Sequence, residues 1–486
     1  MSKLKTNSVK KNLFFNIMYQ ALLTLTPLIT TPYVSRVLGV NNIGEYSYIL
    51  SIVNYFCIFG LLGSSTYGQL LISKKRDNKE ECSRVFSIVL YSRMITMLIA
   101  LVLYTIYIII FKIDSKIYII LYIYFISQCV DIAWLYQGLE RFDITVPCSA
   151  IAKIMSVVAI FILVKKEQDV GKYVALLNGS TLIGNLLMWV NVNKYVAFCK
   201  VGCKDILKSI KDNMTFFIPT IATIIFGSLD KCMIGWITSS TTQNGYYEQA
   251  NKIYNVLVSV ITALTAVMLP RMAYLWKEKN NQKAIRYYLN KTLRYVSAIV
   301  FPISFGLYVI APEFVPVFFG LGYEDCIGLI RVFSCILIFT CFNSIISNQC
   351  MVANGKQNIL NKMLVVSSLI NVILNIIFIK FYQALGAAFA SLASEGILLF
   401  LILSYNKKIL LMKKNIGYII KYFLFAILMS FFILLLKQFN ISIGIKLILE
   451  ILDGVVIYIC CLVLSKDELL FEIISKVINT LKANKY

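Results

Sequence analysis

Few side chains in this sequence are equipped for chemistry, and most of those sit in apolar surroundings. Arg93, Asp131 and Lys153 are single charges inside three successive apolar segments. Asp230 and Lys231 are adjacent in a later segment, Glu395 lies in another, and Arg36 and Arg331 stand near segment ends. A charge inside an apolar segment is costly, so it faces a partner, a bundle interior or a water-filled cavity. Cations in such a cavity can replace the hydration of a phosphate, arginine in a bidentate way. A carboxylate at mid-segment can hold a proton or Na+, the one ionic cofactor worth considering here. The chain has no histidine, which removes the usual general base and the commonest metal ligand. It also has no paired-carboxylate or nucleotide motif, so we expect no enzyme, no metal site and no organic cofactor. The 13 cysteines lie mostly in apolar runs without a C-x-x-C pattern and read as small buried hydrophobes.

The elements that must position these charges are plain from composition. Of 486 residues, 59% are hydrophobic, and the mean hydropathy is +0.77. The apolar residues fall into runs of about 18–25, the length that crosses the hydrocarbon core of a bilayer. The expected fold is an all-α polytopic membrane protein with about 14 transmembrane helices. The spans are 13–38, 44–72, 86–111, 117–138, 144–164, 171–192, 213–236, 246–270, 293–311, 327–352, 359–380, 384–404, 417–436 and 444–465. The first follows Lys10 and Lys11 but has no small-residue cleavage pattern, so it reads as a retained helix rather than a signal peptide.

The net charge of +23 reports topology before binding. With the N-terminus inside, the inside connections carry 32 Lys and Arg and the outside ones 8. The positive-inside rule then places both termini in the cytoplasm. It also explains the basic charge without nucleic acid. The outside connections are short, leaving no room for an external catalytic domain. The inside connection 271–294 has an apolar stripe through Met272, Leu275, Trp276 and Tyr287; it reads equally as a helix on the inner leaflet or as a solvated connector.

Depth sorts the candidate charges. At about 1.5 Å per residue, Arg93, Asp131 and Lys153 lie roughly 12–15 Å from the inner surface. They form either a phosphate-binding group or an ion pair built around Asp131. Arg36, Glu45 and Arg331 lie near the outer interface, as shallow substrate contacts or as anchors. Asp230 and Lys231 point about 100° apart, so they cannot both face one cavity. Glu395 falls near the midplane. Asn343, Asn348, Asn371 and Asn375 read as helix-packing amides.

A shift of 201 residues superposes 12–54 on 213–255, with Gly44 and Tyr46 meeting Gly245 and Tyr247. A gapped register pairing "VLG" (37–39) with "MIG" (233–235) also fits. "QGLERFDI" (137–144) and "ANGKQNIL" (353–360) are equivalent short turns in the two halves. Spans 1–6 and 7–12 thus form two parallel repeats, and spans 13 and 14 fall outside them. The expected division is 1–200, 201–405 and 406–486.

"LTPLITTPYVSRVLGVNNIGEYSYILSIVNYFCIFGLLG" (25–63) resembles the opening hairpin of the polysaccharide transporter family, the O-antigen and capsule repeat-unit flippases of the Wzx type. "FFIPTIATIIFGSLDKCMIGWITSSTTQNGYYEQANKI" (216–253) resembles that family's second-half hairpin. The resemblance implies two six-helix bundles opening alternately to either side of the bacterial cytoplasmic membrane. It implies an undecaprenyl-diphosphate-linked oligosaccharide as cargo, with the polysaccharide polymerase and chain-length machinery as partners alongside membrane lipids. The substrate-binding candidates are then Arg93, Lys153, Asp131, Asp230, Lys231, Arg36 and Arg331. Glu395 is the candidate for a coupling H+ or Na+. A cation-coupled drug antiporter of the same superfamily is the alternative.

Overall fold

The computed structural model describes residues 2–278, 281–407 and 413–469, with side chains described in these ranges except at 2–17, 216, 218–228, 264, 266–267 and 413–416. The described residues are overwhelmingly helical. The helices are α1 (Ser2–Leu61), α2 (Ser64–Lys75), α3 (Lys79–Ile110), α4 (Lys116–Ile120), α5 (Tyr122–Cys129), α6 (Ala133–Gly138), α7 (Phe142–Leu163) and α8 (Val170–Trp189). They continue with α9 (Cys203–Thr238), α10 (Thr241–Lys277), α11 (Gln282–Phe318), α12 (Cys326–Ile346), α13 (Gln357–Tyr405), α14 (Lys413–Leu436) and α15 (Ile443–Leu464).

Among the described residues, ten helices are long and apolar enough to cross a membrane, and the bent α10 makes eleven. Two of the ten are hairpins. α1 doubles back at Gly39, whose φ of 71° favours glycine, and α13 doubles back at Gln383. Contacts between Ser367 and Ser394 and between Asn371 and Ser391 confirm the antiparallel return of α13. With α9 over the seventh expected span, the structure has the fourteen spans read from the sequence. Large apolar side chains on α3, α14 and α15 point outward, as a lipid-facing surface requires.

The chain forms two compact units, Met1–Glu248 and Gln249–Tyr486. α9 belongs to the first because it packs on α1, α2 and α3. The expected division at residues 200 and 405 follows sequence repetition rather than compactness, and we keep it as a proposal about the duplicated segments. In the first unit, an apolar core of Val34, Leu38, Val53, Met97, Tyr104 and Tyr118 joins both arms of α1 to α3 and α4. In the second, Val296, Phe301, Leu337, Ile345, Leu398, Tyr422 and Tyr458 join α11, α12, α13, α14 and α15.

Local structure departs from simple spans in three places. The connection 271–294 forms no separate surface helix among its described residues. α10 and α11 extend through it, and Met272, Leu275 and Ile285 bury against one another. α11 runs on to Phe318 through Pro312 and Pro316 rather than ending near 311, because neighbouring helices can satisfy the carbonyls that proline frees. The fourth span is broken into α4, α5 and α6, and that break shapes the site below.

Candidate functional site

Asp131 lies in the non-helical break between α5 and α6 rather than on a continuous helix. A break inside an apolar span strands backbone carbonyls with no water to receive them. Three of them have side-chain donors. Arg93 on α3 gives Gln128 O two bonds, from Nη2 at 2.7 Å and Nε at 3.0 Å. Asn185 Nδ2 donates to Ser127 O at 2.8 Å, and Trp189 Nε1 to Val130 O at 2.7 Å. Asp131 Oδ1 accepts from the Ala133 amide at 2.9 Å at the start of α6. Arg93 Nη2 also pairs with Asp131 Oδ2 at 3.2 Å, and its Nη1 donates to Ser65 Oγ at 3.1 Å.

Arg93 is 0% exposed. Its guanidinium fork joins α2, α3 and the break of the fourth span, which a lysine's single point charge cannot do. α2 meets α6 equally closely: a Cβ on Gly68 would come within 2.5 Å of the Trp134 ring. The tenth span has a comparable irregularity. Its last turns, Ser347–Val352, are a π-helix, and Trp276 Nε1 donates to Gln349 O at 2.8 Å. Pairing 137 with 353 sets Asp131 against Ser347, where the tenth span passes from α- to π-helix.

Lys153 is partly buried on α7, and among the described residues it makes no hydrogen bond or ion pair. Its helix is fixed by other residues: Ser156 Oγ donates to Leu176 O at 3.2 Å, and Ala152 packs where α8 carries Gly184. No described contact joins Lys153 to Arg93 or Asp131.

Asp230 and Lys231 both engage α10. Tyr247 OH donates to Asp230 Oδ2 at 2.5 Å, and Lys231 Nζ pairs with Glu248 Oε2 at 2.5 Å. Glu248 also accepts from Ser47 Oγ at 2.9 Å, and Thr242 Oγ1 donates to Asn41 Oδ1. Ser47 and Glu248 are 201 residues apart, as are Asn41 and Thr242. The glycines obey the same exchange: Gly44 lies on the Thr241 carbonyl and Gly245 on the Val40 carbonyl. A Cβ on Gly44 would also stand 2.6 Å from Gly245 N, so neither position has room for a side chain. The two Gly-x-Tyr turns form a seam about a local pseudo-two-fold axis. These contacts follow the ungapped 201-residue register.

The seam lies at the end of the first unit that holds its turns. Ser115 Oγ donates to Glu45 Oε1 at 2.7 Å, and Asn42 Nδ2 to Glu167 O at 3.1 Å. Arg36 is exposed at this end.

In the second unit, Asn343 Nδ2 donates to Glu395 Oε2 at 2.6 Å, tying α12 to α13. Asn375 Nδ2 donates to Asn371 Oδ1 at 3.1 Å, and Asn371 reaches Ser391 and Ser394 across the α13 hairpin. Asn348 Nδ2 donates to Ser344 Oγ at 3.4 Å on its own span. Arg331 lies 5.5 Å from the Tyr308 ring centroid.

At the other end of that unit, Asp467 has no exposed side-chain surface. It receives Lys421 Nζ at 2.6 Å, Arg294 Nη2 at 2.9 Å and Tyr422 OH at 3.1 Å. Burial alone would push its carboxyl up; the hydrogen bonds from Lys421, the Leu469 amide and Arg294 outweigh that and hold it below the ordinary aspartate range.

Glu248 and Asp467 were not among the sequence candidates. Glu248 follows the Gly-x-Tyr signature by one residue, and Lys231 in the preceding span was the signal that an anion stood nearby.

A family model described as "Polysaccharide biosynthesis protein" matches residues 9–276, more than half of the chain. The chain belongs to the polysaccharide biosynthesis protein family. It is 22% identical over 410 residues to a protein of Escherichia coli (strain K12) named "Putative O-antigen transporter", covering 83% of this chain and 98% of that one. A Shigella dysenteriae protein of the same name is 22% identical over 407 residues, covering 82% and 100%. Among solved structures, "Lipid II flippase MurJ, inward closed conformation" superposes with a TM-score of 0.75 at 16% identity, covering 94% of this chain and 99% of that one. This member of the polysaccharide biosynthesis protein family is therefore a multi-pass membrane protein with the fold seen in MurJ.

Proposed function

We propose that this protein is a flippase that carries an undecaprenyl-diphosphate-linked oligosaccharide from the inner to the outer leaflet of the bacterial cytoplasmic membrane. The observation that carries this reading is the glycine seam. It closes one end of the first unit with backbone contact and two polar pairs across the turns, Ser47–Glu248 and Asn41–Thr242. Such a closure holds firmly but can part without unfolding a core. We infer that the seam is on the outer side, since 32 of the Lys and Arg in the connections fall on the opposite side and only 8 on this one. Both termini are then cytoplasmic, and the cargo enters from within while the seam is shut. Alternating access is the opening of this seam as access from within closes.

In this reading the sequence candidates separate by role. Lys153 supplies the phosphate-facing cation, since no described group neutralises it. Arg93 and Asp131 position rather than bind: they keep α6 and α2 in place around the broken span. Asp230 and Lys231 work through Tyr247 and Glu248 on the seam. Arg36 and Arg331 are outer contacts on the release path, and Glu395 is the candidate for a coupling H+ or Na+. A diphosphate needs charge compensation away from bulk water, while the lipid tail can remain in the bilayer. A polysaccharide polymerase and its chain-length machinery would take up the product.

Deletion of the gene tests the assignment. The flippase reading expects a lipid-linked oligosaccharide to accumulate on the inner leaflet, restored to normal by the wild-type gene and less so by Lys153→Ala. A drug-antiporter role expects no such accumulation and a rise in toxin sensitivity instead.

A further inference from the structure

The C-terminal hairpin contains a polar assembly separate from everything above. α15 presents Ile445, Ile448, Leu452, Val455, Val456 and Ile459 outward, and its opposite stripe is Leu447, Glu450, Gly454, Tyr458 and Leu462. That stripe is seated against α11 and α14. Tyr458 OH donates to Ala298 O at 2.9 Å, and a Cβ on Gly454 would meet Ile433 at 3.1 Å. Glu450 is in the middle of this stripe and is 0% exposed. Neither of its carboxyl oxygens has a hydrogen-bond partner among the described residues.

The charged groups facing Glu450 come from each element around it. α11 contributes Glu313, the end of α14 contributes Lys437, and α15 contributes Lys446 and, one turn further, Asp453. Asp453 Oδ2 is itself buried without a hydrogen-bond partner among the described residues. Both lysines are committed elsewhere. Lys437 Nζ pairs with Glu313 Oε2 at 2.6 Å and donates to Val309 O at 2.7 Å. Lys446 Nζ donates to Lys437 O at 2.9 Å and stands 3.9 Å from Glu313 Oε1.

A bare carboxylate in this position would carry a desolvation penalty of several kcal/mol with nothing to offset it. A hard metal ion is a poor occupant, because it needs about six oxygens and the two lysines repel it. A proton removes the charge outright.

We propose that Glu450 is a proton-binding site whose occupancy is set by Lys446. In the state described here the carboxyl is protonated, and Lys446 is held by the Lys437 carbonyl. Lys446 is one helical turn before Glu450 on the same face of α15, the spacing at which the two side chains meet. When Lys446 swings to Glu450, the O–H bond breaks. The electron pair stays on the carboxylate, and the proton leaves to water at the turn between Lys437 and Lys446. One proton is thereby exchanged as the hairpin re-pairs against α11, whatever the cargo.

The test is infrared difference spectroscopy of the full-length protein in nanodiscs, across pH, in the carboxyl C=O stretch region. At neutral pH the wild type should show a protonated-carboxyl band that is missing in Glu450→Gln and retained in Asp453→Asn. Raising the pH should remove it, and Lys446→Met should move that loss to more alkaline pH by roughly one unit or more, since the compensating cation is gone. 13C-labelling of glutamate carboxyls should shift the same band in wild-type protein, which needs no substitution to fold. The proposal is overturned by identical neutral-pH spectra for wild type and Glu450→Gln, by a band that ignores 13C-glutamate, or by a titration unmoved in Lys446→Met.

Discussion

Gly44→Ala should force the seam open. In the closed seam, the added Cβ would overlap the Thr241 carbonyl and stand 2.6 Å from Gly245 N and 2.7 Å from the Thr241 carbonyl carbon. Ordinary contact begins at 3.4 Å, so the Gly245 N contact alone requires a separation of about 0.8 Å, and the nearer Thr241 oxygen requires more. The overlapped atoms are backbone on helical segments, so no side-chain rotation can relieve them. Overpacking of this kind costs about 1–3 kcal/mol. The cost falls on the closed state, so the closed-to-open equilibrium should shift by roughly 5- to 150-fold. The assay is labelling of a cysteine at Ser47 by a membrane-impermeant maleimide, after replacing the 13 native cysteines. Ser47 is buried while it faces Glu248, so its labelling rate follows the open population. Gly44→Ala should raise that rate several-fold or more, and Gly245→Ala should do the same against Val40. A labelling rate equal to that of the Gly44 parent would refute the reasoning, because the seam would then tolerate a side chain that the geometry excludes.

Other outcomes follow from the same geometry. Arg93→Ala should lower the stability of the folded protein by about 3–5 kcal/mol, because it leaves Asp131 and the Gln128 carbonyl without their partner; Arg93→Ala/Asp131→Asn should lose less than the single variant, measured by thermal unfolding in detergent. Arg93→Lys should recover only part of that loss, since a lysine cannot span Ser65, Gln128 and Asp131 together. Asp467 is held below its ordinary range, so its contribution is present above the unfolded aspartate value and is lost as pH falls through the folded one. Unfolding temperature should therefore fall on acidification in wild type and change less in Asp467→Asn. Glu248→Gln should weaken the hold on Lys231 and raise labelling at Ser47, by less than Gly44→Ala does.

The spans were legible because each is a continuous apolar run, and such a run decides its own location. The two hairpins were legible from Gly39 and from the short polar interruption at 380–383. The break in the fourth span was not. Local sequence there offers only Asp131 in an apolar stretch, and what stabilises the break comes from Arg93, 38 residues away, and from Asn185 and Trp189 on α8. Depth alone placed Arg93 and Asp131 together, which matches their pairing. It could not tell that the guanidinium would be wholly enclosed. Glu313 escaped notice because Pro312 reads as a helix end in water, whereas α11 continues through it. The Gly-x-Tyr repeat carried more than its length suggested. Side chains 201 residues apart meet across the seam, so the repeat encodes a contact.

The proposed transport requires this seam to part for cargo to cross. Cysteines replacing Asn41 and Thr242 in a background free of other thiols can lock it, since Thr242 Oγ1 is bonded to Asn41. In proteoliposomes, the measurement is the appearance of a labelled lipid-linked oligosaccharide in the far leaflet, before and after cross-linking and again after reduction. Cross-linking should stop transfer and reduction should restore it. Transfer at an unchanged rate through a fully cross-linked protein would contradict this requirement.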